Sequence, residues 1–382
     1  MHESMKRSKI VDFVLVLVSA ALVFSPIVYS QIYIATITDF GPHLEWAQNI
    51  FSAPQTLPPS LIAHGGWQWL VALIHNIFNR GWHGSALLVT LGSVLASVGL
   101  MYLILRKYCK PLLAGSLSNA LMVIAPLMIF LPFDHLWYIG GYVWPNTYHN
   151  PTVLLLKPLA ILQFWYSYRA LEGRNFSWPV VLLMALGSLA AAFAKPSYII
   201  CLLPALFILV IIYWIKKKPM SLGAIAFGIV LPSVAILLWQ YLLTYSSNSD
   251  SQIVFAPFAV MKLHSGNLLP KFLLSIVFPV IVSVVYWKET FVNAKMLLGW
   301  LSFGIGSAYF YFLAEMGPLF THGNFGWSAE ITLFLLFAAC VLLIAEKKLP
   351  PENSFRRGLI LASGFLHVYF GIFYYSFVLF NR

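Results

Sequence analysis

Three short stretches hold most of the side chains able to do chemistry. The first is Thr38-Asp39-Phe40-Gly41-Pro42-His43-Leu44-Glu45-Trp46, with two carboxylates and an imidazole close together. Pro42 suits the first turn of a helix with Asp39 just ahead of it as a cap. Four residues on, His43 would then share a face with Ala47 and Ile50. Asp39 with His43 is also half of a metal-site spacing, though two ligands do not specify an ion.

The second stretch runs Gly140-Gly141-Tyr142-Val143-Trp144-Pro145-Asn146-Thr147-Tyr148-His149-Asn150-Pro151-Thr152, after Phe133-Asp134-His135-Leu136-Trp137. Pro151 opens a helix, and Lys157 then lies about 10 Å along it from Asn150. A lysine at that depth in an apolar helix marks a functional position unless it snorkels back to the headgroups. Lys195, beside Pro196, is a similar case. The third stretch, Glu315 to Glu330, contains His322, Asn324 and Trp327: polar groups able to hydrogen-bond a sugar, backed by aromatics. As plain structure, Glu315 and Glu330 are solvated helix ends, and the aromatics are interfacial anchors.

Other chemistries leave no trace. There is no Gly-rich Lys-Ser/Thr phosphate loop, no His-Glu-x-x-His and no Gly-x-Ser-x-Gly. The histidines form no spacing that defines a metal, and no internal repeat is visible, which disfavours inverted-repeat transporters.

The elements that must position these groups follow from composition. Hydrophobic residues are 60% of the 382, charged residues 9%. A soluble domain needs more charge than that to cover its surface. The apolar residues fall in runs near the length of about 20 that spans a bilayer as a helix. About eleven such spans are expected: 10–31, 84–105, 112–132, 151–168, 179–194, 198–215, 221–242, 268–287, 296–314, 328–345 and 358–380. The fold class is thus all-α, a polytopic membrane helical bundle forming one domain over 1–382. The fifth and sixth spans, parted by Lys195-Pro196-Ser197, could instead be one broken pair. Lys6, Arg7 and Lys9 before an apolar run resemble a signal peptide, but the run is too long and Val28-Tyr29-Ser30 is a poor cleavage site.

Orientation follows from the basic residues. With the N-terminus in the cytoplasm, 17 of the 23 Lys and Arg fall on the cytoplasmic side. The C-terminus is then outside, on the periplasmic face of a bacterial inner membrane. The formal charge of +11 needs only membrane lipids as partners, not nucleic acid. Eight of the ten histidines fall outside, in loops 32–83, 133–150, 243–267 and 315–328. Within 32–83, the stretches opening at Pro42 and at Gly65 read as amphipathic helices on the membrane surface. The Ser/Asn-rich 246–252 stretch reads as a mobile loop. Cys109, Cys201 and Cys340 suggest neither a disulfide nor a thiol metal site.

A first span, a long outer loop opening on Asp39, polar groups gathered outside, His149-Asn150-Pro151-Thr152 and the Glu315…Asn324-Phe325-Gly326-Trp327 stretch together resemble the GT-C superfamily of membrane glycosyltransferases. This chain departs from some members in having Phe40 after Asp39, and no soluble outer domain is expected after the last span. The resemblance implies transfer of a sugar from a polyprenyl-phosphate-linked donor to a glycan, lipid or protein acceptor. It implies Asp39 as general base, with His43 and Glu45 positioning the acceptor or a divalent metal. Arg80, Lys157 and Lys195 would stabilise the leaving phosphate. His149, Asn150, Glu315, His322 and Asn324 would bind the substrate. The competing expectations are a transporter or flippase of a lipid-linked or anionic substrate, and a non-catalytic accessory subunit.

Overall fold

The structure is a computed structural model and describes residues 2–36, 38–129, 131, 140–245, 252–350 and 353–380. Asp134, His135, Trp137 and most of the Ser/Asn-rich stretch lie outside these residues.

Helices dominate. In chain order they are α1 (His2–Tyr33), α2 (Phe40–Ser52), α3 (Pro59–His64), α4 (Gly66–Phe78), α5 (Trp82–Leu105), α6 (Pro111–Leu121), α7 (Pro151–Leu171), α8 (Trp178–Ala194) and α9 (Ile199–Ile215). Then follow α10 (Leu222–Ile225), which passes through one π turn into α11 (Leu231–Tyr245), then α12 (Ala259–Lys262), α13 (Leu268–Ser275) and α14 (Val277–Val285). The last are α15 (Trp287–Thr290), α16 (Ala294–Phe312), α17 (Gly326–Lys347) and α18 (Ser354–Phe380). Proline opens several of them at the first turn, where its missing N–H costs nothing.

Among the described residues five helices are long and apolar enough to cross a bilayer, or six if the bent pair α13–α14 is one span. They are α1, α5, α10–α11, α17 and α18; α8 and α9, at 17 residues each, are shorter apolar helices. α17 is the axis of the bundle, with 83% of its apolar stretch buried against 17% for α1. That fits a helix that is hydrophobic all round. It packs along α16 and also touches α7, α9 and α14.

Two expected spans are broken, for the same reason. The third, expected over 112–132, stops as helix at Leu121. Pro126 disfavours the helical region for Ala125 and supplies no N–H. The released carbonyls are taken by side chains: Asn146 Nδ2 donates to Leu121 O and Ile124 O, both at 2.9 Å, and Tyr148 Oη donates to Met122 O at 3.0 Å. The eighth, expected over 268–287, bends by 56° between α13 and α14, where Pro279 cannot bond back to Ser275. His367 of α18 serves both breaks. Its Nδ1 donates to Ala125 O at 2.6 Å, and its Nε2 accepts from Phe278 N at 3.3 Å. Gly371, one turn on, lets α18 approach that closely: a Cβ there would lie 2.0 Å from Val123 O.

Of the stretch read as a mobile loop only Gln252 is described, its carbonyl accepting from Met316 N at 2.8 Å, and the chain pairs directly after it. Ile253–Phe255 (β1) pairs antiparallel with Leu313–Glu315 (β2), setting Ile253 opposite Glu315. α4 packs one side, with Trp67, Gln68 and Val71 buried, against α2, α5, α7 and α8, and exposes Leu70, Leu73 and Ile77 on the other.

Candidate functional site

α7 begins at the same end of the bundle as α2, and its start is where the site forms. Asn150 caps α7: its Oδ1 accepts from Val153 N at 3.1 Å and from Thr152 Oγ1 at 2.7 Å. With Oδ1 so occupied, Nδ2 points away from the helix and donates to Asp39 Oδ2 at 2.6 Å. The backbone reinforces the approach, since Asp39 N and Thr38 Oγ1 both donate to His149 O at 3.1 Å.

Asp39 occupies the cap position of α2 but its side chain makes no capping bond. Thr38 Oγ1 instead accepts from Phe40 N at 3.4 Å. The carboxylate is therefore turned from its local role toward the α7 segment. It is half-buried, and its Oδ1 has no hydrogen-bond partner among the described residues.

A cation stands at the other end of the chain of bonds. Lys195 lies between α8 and α9, and its Nζ donates to Thr152 Oγ1 at 3.1 Å while sitting 5.1 Å over the ring of Trp327. Lys195, Thr152, Asn150 and Asp39 thus form one relay contributed by three segments far apart in sequence. No carboxylate among the described residues lies within ion-pair distance of Lys195. Burial lowers its pKa from 10.5 to about 8, against the pull of Asp39, Glu330 and Glu315.

Neutral imidazoles surround this ammonium. Burial lowers His43 to about 3 and His64 to about 4, and in both cases Lys195 lowers it further. Burial likewise lowers His149, which Asp39 raises and Lys195 lowers; its ring is 5.7 Å from Trp327. His43 Nδ1 meets Gln68 Nε2, and Gln68 Oε1 is buried with no partner among the described residues. The His43 ring also packs edge-on to Trp46 at 5.1 Å.

Deeper along α7, Lys157 is 1% exposed and does not snorkel. Its Nζ donates to Asn146 Oδ1 at 2.6 Å and lies 4.6 Å over Phe334. Its electrostatic counterpart is Glu330, in the second turn of α17, which accepts from Thr147 Oγ1 at 3.4 Å and also acts on Lys195. Glu330 is therefore part of the site rather than a solvated helix end. Gln68, Thr152 and Trp327 join the list of residues that spacing did not single out.

Other expected residues stand apart. Glu45, about 200° round α2 from His43, is exposed. Arg80 follows the far end of α4, about 18 Å along that helix from Gly66, and is exposed; only its backbone O meets His75 Nδ1. Asn324 Nδ2 donates to Glu315 Oε2 at 2.5 Å on the ribbon, and His322 is exposed nearby. Glu315 reaches the site only through its field at Lys195. No group of three His, Cys, Asp or Glu among the described residues is placed to hold a metal ion, and Cys109, Cys201 and Cys340 are free.

No protein-family model, curated protein or solved structure matches this chain.

Proposed function

We propose that the chain is an integral-membrane glycosyltransferase of the GT-C kind, taking a sugar from a polyprenyl-phosphate-linked donor. The observation that carries this reading is the relay, with a carboxylate oxygen at one end and an ammonium at the other that, among the described residues, have no hydrogen-bond and no carboxylate partner respectively. In transfer, an acceptor oxygen attacks the anomeric carbon and the bond from that carbon to the phosphate oxygen breaks. The bonding pair leaves on polyprenyl phosphate, and Asp39 takes the acceptor's proton. Lys195 stabilises the phosphate charge. Neutral His43 and His149, with Gln68 Oε1, are hydrogen-bonding groups for sugar hydroxyls; Asn150 orients the base. Glu45, Arg80 and His322 hold no place in this core.

The chain crosses the membrane about eleven times in this reading, with N-terminus cytoplasmic, C-terminus periplasmic and the helices of the first loop at the surface. Support comes from the basic residues Lys107, Arg169, Lys217, Lys218 and Lys347, which gather at the end of the bundle opposite Asp39. A bacterial inner membrane is the natural setting for that asymmetry.

Two observations favour a second reading, a transporter of a lipid-linked or anionic substrate. Lys157 and Glu330 are ionisable groups inside the bundle, and α13–α14 is an interrupted helix pair. Liposomes loaded on one side with labelled polyprenyl-phosphate sugars separate the two. Donor consumption with release of polyprenyl phosphate supports transfer; donor that crosses intact replaces that reading with transport.

A further inference from the structure

The end of the bundle opposite Asp39 carries a second feature with recognisable chemistry. α9 ends there at Ile215 and is followed by Lys216, Lys217 and Lys218. A cleft of about 610 Å³ opens at this point, lined by Trp214, Ile215, Lys217, Lys218, Met220 and Leu222. Its walls are apolar and its charged lining residues are both lysines. Lys218 Nζ is held 4.8 Å over the Tyr213 ring, and the same residue borders an adjoining cavity of about 350 Å³. The acids of that neighbour are already matched: Glu172 by Arg169 at 2.8 Å and Glu289 by Lys347 at 4.0 Å. The basic charge of the cleft is therefore uncompensated within its own lining.

Two further observations set its level and its character. Trp178, Trp214 and Trp287 are 71%, 74% and 61% exposed at this end of the bundle, as expected of indole rings at the headgroup region of a bilayer. Lys217 has φ +51°, the left-handed position after a helix that glycine normally fills. Lys218 N donates to Tyr213 O across it at 2.9 Å. A lysine there bears backbone strain that glycine would avoid, and it delivers an ammonium at the mouth of the cleft.

We propose that this cleft binds one anionic glycerophospholipid, its phosphodiester headgroup between Lys217 and Lys218 and its chains along Trp214, Ile215 and Leu222. Charge complementarity selects the anionic headgroup, and the apolar wall at headgroup level selects a lipid over a free phosphate. The inference rests on the chain crossing a membrane, not on the transferase reading, and an inactive protein would still pass its test.

The test uses full-length protein in vesicles of phosphatidylcholine carrying increasing fractions of brominated phosphatidylglycerol or brominated phosphatidylcholine. The Trp214 component is the fluorescence lost in Trp214→Phe. Brominated phosphatidylglycerol is expected to quench it at a several-fold lower fraction than brominated phosphatidylcholine. Lys217→Gln and Lys218→Gln should each weaken that preference by roughly fivefold; Lys217→Arg with Lys218→Arg should keep it. Equal quenching by the two lipids in the wild-type protein overturns the proposal without recourse to any variant. So does a preference that survives in the Gln double variant, or one abolished by millimolar inorganic phosphate.

Discussion

The amide of Asn150 holds Asp39 with one end, at 2.6 Å, and caps α7 with the other. The same side chain thus carries a local structural task and a long-range positioning task, which substitution can separate. Asn150→Ala removes both and should cost about 0.5–2 kcal/mol of stability from the lost cap, together with donor consumption. Asn150→Ser can still cap α7 but is too short to hold Asp39. Its thermal midpoint should recover while activity stays low; recovery of both would show that the Asn150–Asp39 bond is incidental.

Lys195 provides the pH dependence. With its pKa lowered to about 8, the ammonium proposed to stabilise the phosphate is lost as pH rises through that value. Donor consumption should fall with a midpoint near pH 8, and Lys195→Arg should move that limb upward out of range. Stability runs the other way. Between about 8 and 10.5 the unfolded lysine binds more protons than the folded one, so stability contributed at this residue rises with pH. A rate profile flat from pH 7 to 9 would remove Lys195 from the phosphate role.

Much of this was legible in the sequence as parts, but not as a whole. Asp39, His149, Asn150 and Lys195 could each be picked out, because acids, amides and lysines at the ends of apolar runs are costly there. Their connection was not readable, since 111 residues separate Asp39 from Asn150 and no local periodicity spans that distance. Glu330 looked like an ordinary helix end because its counterpart Lys157 belongs to another helix. Arg80 shared a loop with Asp39 in sequence, but α4 carries it away. The two broken spans did leave signals, Pro126 and Pro279, which hydropathy averaged over about 20 residues conceals.

The neutral histidines predict an acid limb. His43 and His64 titrate near 3 and 4 in the folded protein, below the ordinary 6.5. The unfolded chain then binds more protons between those values and 6.5, so stability falls as pH drops through this window. His64→Gln should flatten the dependence of the thermal midpoint on pH between about 4 and 6.5. An unchanged slope would mean that His64 is solvated and titrates normally.

His367 predicts a structural cost far from the site. His367→Ala leaves Ala125 O and Phe278 N without their imidazole partners, at about 1–3 kcal/mol for each buried group. The thermal midpoint should fall by several degrees. An unaffected midpoint would show that water takes over both bonds.

The most direct test is release of polyprenyl phosphate by the purified protein from a panel of polyprenyl-phosphate sugars, with glycan, lipid and peptide acceptors supplied to take the sugar and Asp39→Asn alongside. Asn at 39 still offers an oxygen to Asn150 Nδ2, so the fold and Lys195 stay in place while the base is lost. The account predicts release by the wild-type protein and a loss of about 10²–10⁴-fold in the variant, the range for a general base. Equal release by both proteins would contradict it.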